Sequence, residues 1–540
     1  MTGLFWAGLV TNRMIQIKKK SELNPNSGLE AGSKAASMAS YVLAGKIFTF
    51  LMIGIALVLV TRLLGPTQYG VYTLAVAFAG IFGSIGYFGI GTALNKFISE
   101  YKQKKNNAEI SVLFSNGIFL VVISGIVLTA ICFELSGLIS EYIFHTAAMS
   151  YIIKVVSFWI IAAMLFGTIY DSMLGLGSGR DITVVASIQS FFQASISIAL
   201  AFIGYGALAP IYGLVLGYFI GFFAGLFIVF RMNGLVLCMP TIKNMRKLLG
   251  FSLPVATANI FGSMVGSFGL LLLGYLTVNT AVVGNIGIAT RAGSMMSIIF
   301  DSISFAMLPA FSAALVNKKL KTQMGRIYGY TVYAAILVVS PLLFYMAIFS
   351  TPFSYTLFGG SYSYAPLYIS ILSIGLLLGI AGAYANTLMI SMGKTSEALK
   401  YNSIAYVVVV LLFLLFIPTM GGLGYTVVSF VMMPLIIDGI FITKLRTMLE
   451  INLRARKLLG IMVANGVVSL IALLFYSFFS GIALLAAAGV AFIVLYPLAV
   501  VIAGGADVGD ISTIKSLSEG IPFVGSVVAG LAEYASMMIR

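Results

Sequence analysis

Apolar segments long enough to cross a bilayer follow one another along this chain, with only short polar turns between them. One crossing of the hydrocarbon core needs a helix of about 20 mostly apolar residues. Fourteen stretches meet that requirement: 38–62, 71–95, 112–133, 150–174, 183–203, 208–230, 250–276, 282–316, 327–350, 366–391, 401–418, 424–443, 459–478 and 482–503. The stretch 282–316 exceeds one straight crossing, so a break at a glycine or a run beyond the membrane is expected there. Residues 521–539 are apolar apart from Glu533 and read as an interfacial helix. Lipid offers no partner for free backbone groups, so the fold class is an all-α polytopic membrane protein. The composition agrees: 60% of residues are hydrophobic and 9% charged, where soluble domains carry about 25%. So few charges cannot cover a water-soluble surface, and so apolar a chain cannot stay disordered. A soluble enzyme and a disordered chain are both excluded.

The net charge of +15 takes its meaning from how the charges are sorted. With residues 1–37 as a cytoplasmic tail, 27 of the 31 Lys and Arg residues fall in cytoplasmic segments, and the external loops hold none. This positive-inside pattern predicts a multi-pass protein of the cell membrane with both termini in the cytoplasm and an even number of spans. It also suits anionic membrane lipids as partners and removes the need to invoke nucleic acid. The N-terminal MTGLFWAGLV is too short to span and precedes Arg13 and Lys18–Lys20, the reverse of a signal peptide. Cys132 and Cys238 predict neither a disulfide framework nor a metal site, and His145 is the only histidine, in a short external stretch.

An internal repeat is visible. GVYTLA from Gly70 and GNIGIA from Gly284 are 214 residues apart, as are Gly179-Arg180-Asp181 and Gly393-Lys394-Thr395. Two six-helix lobes of the same orientation follow, a parallel repeat of the kind that builds transporters around a central site. The predicted organisation is a tail (1–37), a first lobe (38–231), a basic linker (232–249), a second lobe (250–446), an added helix pair (447–503) and a C-terminal tail (504–540).

Seven ionisable residues remain inside the predicted membrane segments: Lys46, Arg62, Lys154, Asp171, Arg291, Asp301 and Asp438. Each costs about 2.5–3.5 kcal/mol at mid-bilayer, so such groups tend to face a cavity or a partner. Lys46 stands about eight residues into the first span, roughly 12 Å deep. Arg62 follows sixteen residues later, about 160° around the helix, and is expected at the outer headgroups. Lys154 has a similar outer position. Arg291 lies near mid-depth, cannot lose its charge, and binds phosphate bidentately. Lys46 and Arg291 are therefore the candidate substrate-phosphate contacts. Asp301 is a candidate partner for Lys46 or for a coupling cation. Asp171 and Asp438, toward the inner ends of their helices, are expected to pair with cytoplasmic-side cations.

Five motifs then carry a resemblance: RLLGPTQYGVYTLA (62–75), GYFGIGTALNKFISEY (86–101), FSLPVATANI (251–260), Pro309 within SFAMLPAFSA, and LFGGSYSYAPLYISIL (357–372). In this order they resemble the polysaccharide biosynthesis (Wzx-type) flippases of the multidrug/oligosaccharidyl-lipid/polysaccharide exporter superfamily. The resemblance implies a MATE-like pair of lobes around a cavity with alternating access. It implies a polyprenyl-linked saccharide as cargo, carried on a phosphate or pyrophosphate from the cytoplasmic to the external leaflet. It implies cavity cations in the first, second and eighth spans, where Lys46 and Arg291 match by position; the second span has no charge before Lys96. A single chain without a cofactor is expected to act alone, driven by a Na+ or H+ gradient. Two other classes stay open. A cation-coupled multidrug or small-molecule exporter of the same superfamily favours acidic cavity residues. A membrane glycosyltransferase or ligase would need catalytic external groups, and only Glu134, Glu141 and His145 are offered.

Overall fold

The computed structural model describes residues 25–510 apart from 143, 145, 147, 278, 295, 297–319, 452, 508 and 509. Asp301, Pro309, His145, Lys18–Lys20 and 521–539 therefore lie outside the described residues. Within them there is no strand; the chain is a succession of helices.

The first helix, α1 (Pro25–Tyr87), is interrupted at Gly65 (φ 71°, ψ 172°) just ahead of Pro66. Proline has no N–H to lose at a helix start and a φ already suited to it, so Pro66 begins a new helical segment. The second predicted span does not run unbroken to residue 95. It bends at Phe88 (φ 46°) and Gly89 (φ 66°), and α2 (Ile90–Gln103) continues beyond. Next come α3 (Asn107–Glu134), whose first turn is capped by the Asn106 side chain accepting the Glu109 N–H, α4 (Ala148–Gly175), α5 (Gly179–Ile203) and α6 (Leu208–Asn233).

A basic segment leads to α7 (Ile242–Leu276) and α8 (280–294). They are followed by α9 (Leu320–Ile348), the short α10 (Ser350–Phe358), and the bent pair α11 (Ala365–Leu378) and α12 (Ile380–Ser391). Then α13 (Thr395–Val427), broken at Gly421 (φ 56°), runs through a π-turn into α14 (Met433–Met448). The chain finishes with α15 (Ala455–Leu473) and α16 (Gly481–Ile502).

Nine helical stretches of the described residues are long and apolar enough to cross a membrane, or ten if the bent pair is one span. Two of the nine, Gly45–Tyr87 and Thr395–Met448, have 43 and 54 residues. Each has the length of two crossings and each is broken near its middle by a glycine. The seventh predicted span has an apolar part of only Ile260–Leu276, and the eighth runs into residues outside the described set. The count of fourteen stays a sequence expectation.

The first half packs α5 on α6, α1 on α5, α4 on α6 and α3 on α4; the second packs α7 on α13, α9 on α11 and α12 on α14. Small residues do much of this work, because lipid supplies no hydrophobic drive for helices to associate. On α6, Gly213, Gly217, Gly221 and Gly225 form one stripe against the Ser197, Gln193, Gln189 and Val185 face of α5.

The two halves meet backbone to backbone where α1 restarts at Pro66 and α8 begins. A Cβ at Gly70 would lie 1.9 Å from the Thr280 carbonyl oxygen, and one at Gly284 would lie 2.0 Å from the Pro66 carbonyl oxygen. Pro66 and Thr280 are 214 residues apart, as are Gly70 and Gly284. The contact is thus reciprocal, as a two-fold relation between the halves requires. The second sequence match needs a correction. The turn after α4 closes by Ser178 N–H to Met173 O (3.1 Å) and Gly177 N–H to Leu174 O (2.9 Å), with Gly177 at φ 63°. The turn after α12 closes by Lys394 N–H to Met389 O and Gly393 N–H to Ile390 O (both 3.0 Å), with Gly393 at φ 76°. These are the same Schellman closure, in which only the left-handed glycine is sterically required. The counterpart of Gly393 is Gly177, at an offset of 216; Gly179 is already inside α5.

The added pair α15–α16 packs against α9. Tyr496 Oη donates to Leu337 O (2.7 Å), Asn465 Nδ2 to Ser340 Oγ (2.8 Å) and Tyr333 Oη to Gly505 O (2.9 Å). At its basic end Arg454 and Lys457 bind Asp510, and Lys457 also binds Asp507.

Two predictions follow from these contacts. Gly70→Ala or Gly284→Ala forces a methyl into a backbone carbonyl and should destabilise closure by about 1–3 kcal/mol. Disulfide trapping of a Thr67→Cys, Thr280→Cys pair in a background lacking Cys132 and Cys238 should then fall. Burial alone would raise the Asp510 pKa, but Lys457 and Arg454 outweigh it and hold the carboxyl below its ordinary value of 3.8. A depressed carboxylate stabilises above its unfolded pKa, and that contribution is lost as pH falls through the lowered value. Hydrogen exchange in α16 should therefore accelerate as pH drops below 3.8, beyond the intrinsic trend, and Asp510→Asn should remove most of that dependence.

Candidate functional site

A cavity of about 540 Å³ lies between α1, α4, α5, α6 and the last described turn of α8. Its α1 wall is one helical face, with Lys46, Thr49, Ile53 and Leu57 at steps of three and four. That face reaches α5 because residue 45 is glycine: a Cβ there would stand 2.8 Å from Thr183 Cγ2. The α4 wall presents Trp159, Phe166 and Tyr170, and the α5 wall Gln189, Gln193 and Ser197. Tyr69 and Tyr72, on the segment that Pro66 begins, and Tyr218 from α6 complete the deep part around Arg291.

Of the seven predicted membrane charges, Lys46 and Arg291 share this cavity. Arg291 sits deep in the protein, yet its side chain is exposed, and the surface it exposes is cavity surface. Its guanidinium is within hydrogen-bonding reach of the Tyr69 and Tyr72 hydroxyls, with Tyr218 also close. These hydroxyls are neutral and cannot cancel its charge. Lys46 makes no ion pair among the described residues, and no Asp or Glu lines the cavity. Two fixed positive charges therefore face one partly enclosed space with no carboxylate on its walls among the described residues.

Arg62, Lys154, Asp171 and Asp438 lie elsewhere, and Asp301 is outside the described residues. Arg62 donates from Nε to Leu357 O (2.8 Å) and from Nη2 to Thr356 O. It caps the last turn of α10, where a cation also complements the helix dipole. Tyr362 Oη donates to Thr61 O beside it (2.9 Å), and both contacts tie the first half to the second. Lys154 stands 5.3 Å from the Phe133 ring centroid, off the cavity. Asp171 accepts from Tyr87 Oη (2.8 Å), next to the bend before α2, and Asp438 accepts from the Gly382 N–H (2.7 Å). The expectation that these two carboxylates pair with cations is corrected: each is held by a neutral donor, because each sits where a close-packed helix brings a hydroxyl or a free N–H within reach. The second-span cation implied by the resemblance is absent from the cavity, where Tyr69 and Tyr72 stand instead. Lys96 lies outside, 3.9 Å from the Phe251 ring centroid.

The sequence reading missed the uncharged polar wall. Its signal was present, since Gln189, Gln193 and Ser197 recur every four residues along one face of the helix.

The polysaccharide biosynthesis protein family matches residues 36–315. The chain belongs to that family. Its fold is similar to a solved structure of "Lipid II flippase MurJ, inward closed conformation", at TM-score 0.69 and 14% identity, covering 85% of this chain and 97% of that one. It is also similar to an inward-facing multidrug resistance MATE family transporter of the MOP superfamily (TM-score 0.61, 14% identity, 76% and 97% covered). A third similar structure is a MOP superfamily transporter from Pyrococcus furiosus, described as having a reverse polarity of its binding pocket (TM-score 0.56, 14% identity, 77% and 95% covered). No curated protein matches the chain. The chain is thus a multi-pass membrane protein of the polysaccharide biosynthesis protein family, with a fold like that of these three structures.

Proposed function

We propose that this protein is a flippase for a lipid-(pyro)phosphate-linked saccharide, carried from the cytoplasmic to the external leaflet by alternating access of its two halves. One observation supports this reading above the others: Lys46 and Arg291 face a common cavity that no Asp or Glu lines among the described residues. An anionic headgroup gains charge-assisted hydrogen bonds there, bidentate on Arg291. A cationic drug would meet repulsion from both, which weighs against a multidrug exporter. The positive-inside pattern sets the direction, with the basic end toward the cytoplasm. The apolar lipid chain stays in the bilayer while the headgroup crosses in the polar space. In this reading the driving force is a Na+ or H+ gradient, and Asp171 and Asp438 are the described membrane carboxylates able to take up the ion.

The test is flipping of a fluorescent polyprenyl-diphosphate saccharide by the full-length protein in liposomes. Losing hydrogen bonds to a charged group costs about 1.5–3 kcal/mol, so Arg291→Ala should slow flipping roughly 10- to 100-fold. Arg291→Lys, which keeps the charge without the planar fork, should recover part of the rate. Lys46→Ala should act in the same direction. A full rate in Arg291→Ala, or faster export of cationic dyes than of the lipid by the native protein, would overturn the reading.

A further inference from the structure

The cavity has two chemically different sides. Its cations come from α1 and α8; the facing wall of α4 and α5 is uncharged but polar. Gln189 Nε2 donates to Gln193 Oε1 at 2.6 Å. The remaining half of each carboxamide has no further hydrogen-bond partner among the described residues. Whichever way the two amides are turned, the pair keeps one donor group and one acceptor group in hand. Both glutamines are held at the stem by the glycine stripe of α6. A Cβ at Gly217 would stand 2.7 Å from Gln193 Cβ, and one at Gly221 would stand 2.7 Å from Gln189 Cβ.

Packing does not account for these side chains. Leucine would fill the same space beneath the same glycines without the cost of taking amides out of water. Phosphate does not account for them either, because a carbonyl oxygen on the wall repels an anion. A second orphan lies beside them. Trp159 Nε1 is buried and has no hydrogen-bond partner among the described residues, although a buried indole N–H normally finds one. The ring stands edge-on to Tyr218 (centroids 6.3 Å, 84°) and lines the cavity. A neutral sugar ring fits such a wall: its hydroxyls both donate and accept, and its C–H faces lie on aromatic rings.

We propose that Gln189, Gln193 and Trp159 form a subsite for the neutral sugar adjoining the lipid phosphate, and that this subsite separates loaded lipid from bare lipid. The proposal rests on the reading that the cavity receives a lipid-phosphate headgroup. The cavity's size of about 540 Å³ falls within the usual range for small-molecule sites, so it houses the headgroup and its nearest sugar rather than a long glycan.

The test measures equilibrium binding of two radiolabelled probes to the full-length protein in nanodiscs: a bare polyprenyl diphosphate, and the same lipid carrying one N-acetylhexosamine. The native protein should prefer the sugar-bearing probe. Gln193→Leu should cut that preference about tenfold. Trp159→Phe, which keeps the ring and loses the N–H, should also reduce it. In a Trp6→Phe background Trp159 is the sole tryptophan, and its fluorescence should respond to the sugar-bearing probe and not to the bare one. Arg291→Ala should weaken both probes alike. If Gln193→Leu and Trp159→Phe leave the preference intact, or the native protein has none, the subsite is refuted while the phosphate reading stands. If Arg291→Ala changes the binding of neither probe, the phosphate reading fails and the subsite falls with it.

Discussion

Two helix starts cross so closely that neither can carry a side chain, and the rest of the molecule is arranged around that crossing. Gly70 and Gly284 each bring a backbone against a carbonyl of the other half, from Thr280 and from Pro66. Backbone on backbone is a stiff contact with little room for compromise, so it fixes both spacing and symmetry at this seam. The polar ties nearby act on the same seam: Arg62 on the carbonyls of α10, Tyr362 on Thr61, and Thr280 Oγ1 on Thr67 O at 3.3 Å. The halves also touch at the basic end, where Lys247 Nζ donates to Tyr101 Oη (2.9 Å) and Phe97 stands edge-on to Phe251; the cavity lies within the first half, with Arg291 and Ser294 reaching it from the second.

The same economy of side chains places the cavity wall. In α6 a glycine at every fourth position lets α5 approach until Gln189 and Gln193 sit directly over the stripe. Interiors packed this tightly hold side chains in few rotamers. The glutamines therefore reach the cavity from fixed stems. Gly45 does the same for α1 against Thr183, and so sets how far Lys46 stands from the opposite wall.

Much of this was legible in the sequence, and the limits have physical causes. The helical fold followed from the length of the apolar segments, since lipid permits little else. The Gly70–Gly284 relation was visible because a steric requirement leaves a residue type behind. The register of the second match was not, because Gly177 and Gly179 look alike in sequence and only φ tells which one closes the helix. Lys46 and Arg291 stood out because charge is costly in a membrane. The tyrosines around Arg291 did not, because tyrosine is as common in a lipid interface as in a cavity. The partners of Asp171 and Asp438 were also hidden: an N–H at Gly382 and a hydroxyl at Tyr87 have no signature in composition.

The separation of charges inside the membrane bears most directly on function. If stability alone governed the interior, the cheapest arrangement would bring its cations and carboxylates together, because an unpaired buried charge is costly and a paired one less so. The opposite is found. Asp171 and Asp438 are satisfied by neutral donors away from the cavity, and Arg62 by backbone carbonyls at the seam. Lys46 and Arg291 are left facing a shared space, with only tyrosine hydroxyls near the guanidinium. Each bears an insertion cost of about 2.5–3.5 kcal/mol that no acid among the described residues offsets. A cavity with low-dielectric walls and charges of one sign focuses its field on whatever anion can reach it. A built-in carboxylate would cancel that field and hold the site shut against phosphate. Hydroxyls orient the guanidinium without competing for its charge, so an anion can be admitted, and can also be released once the two halves rearrange.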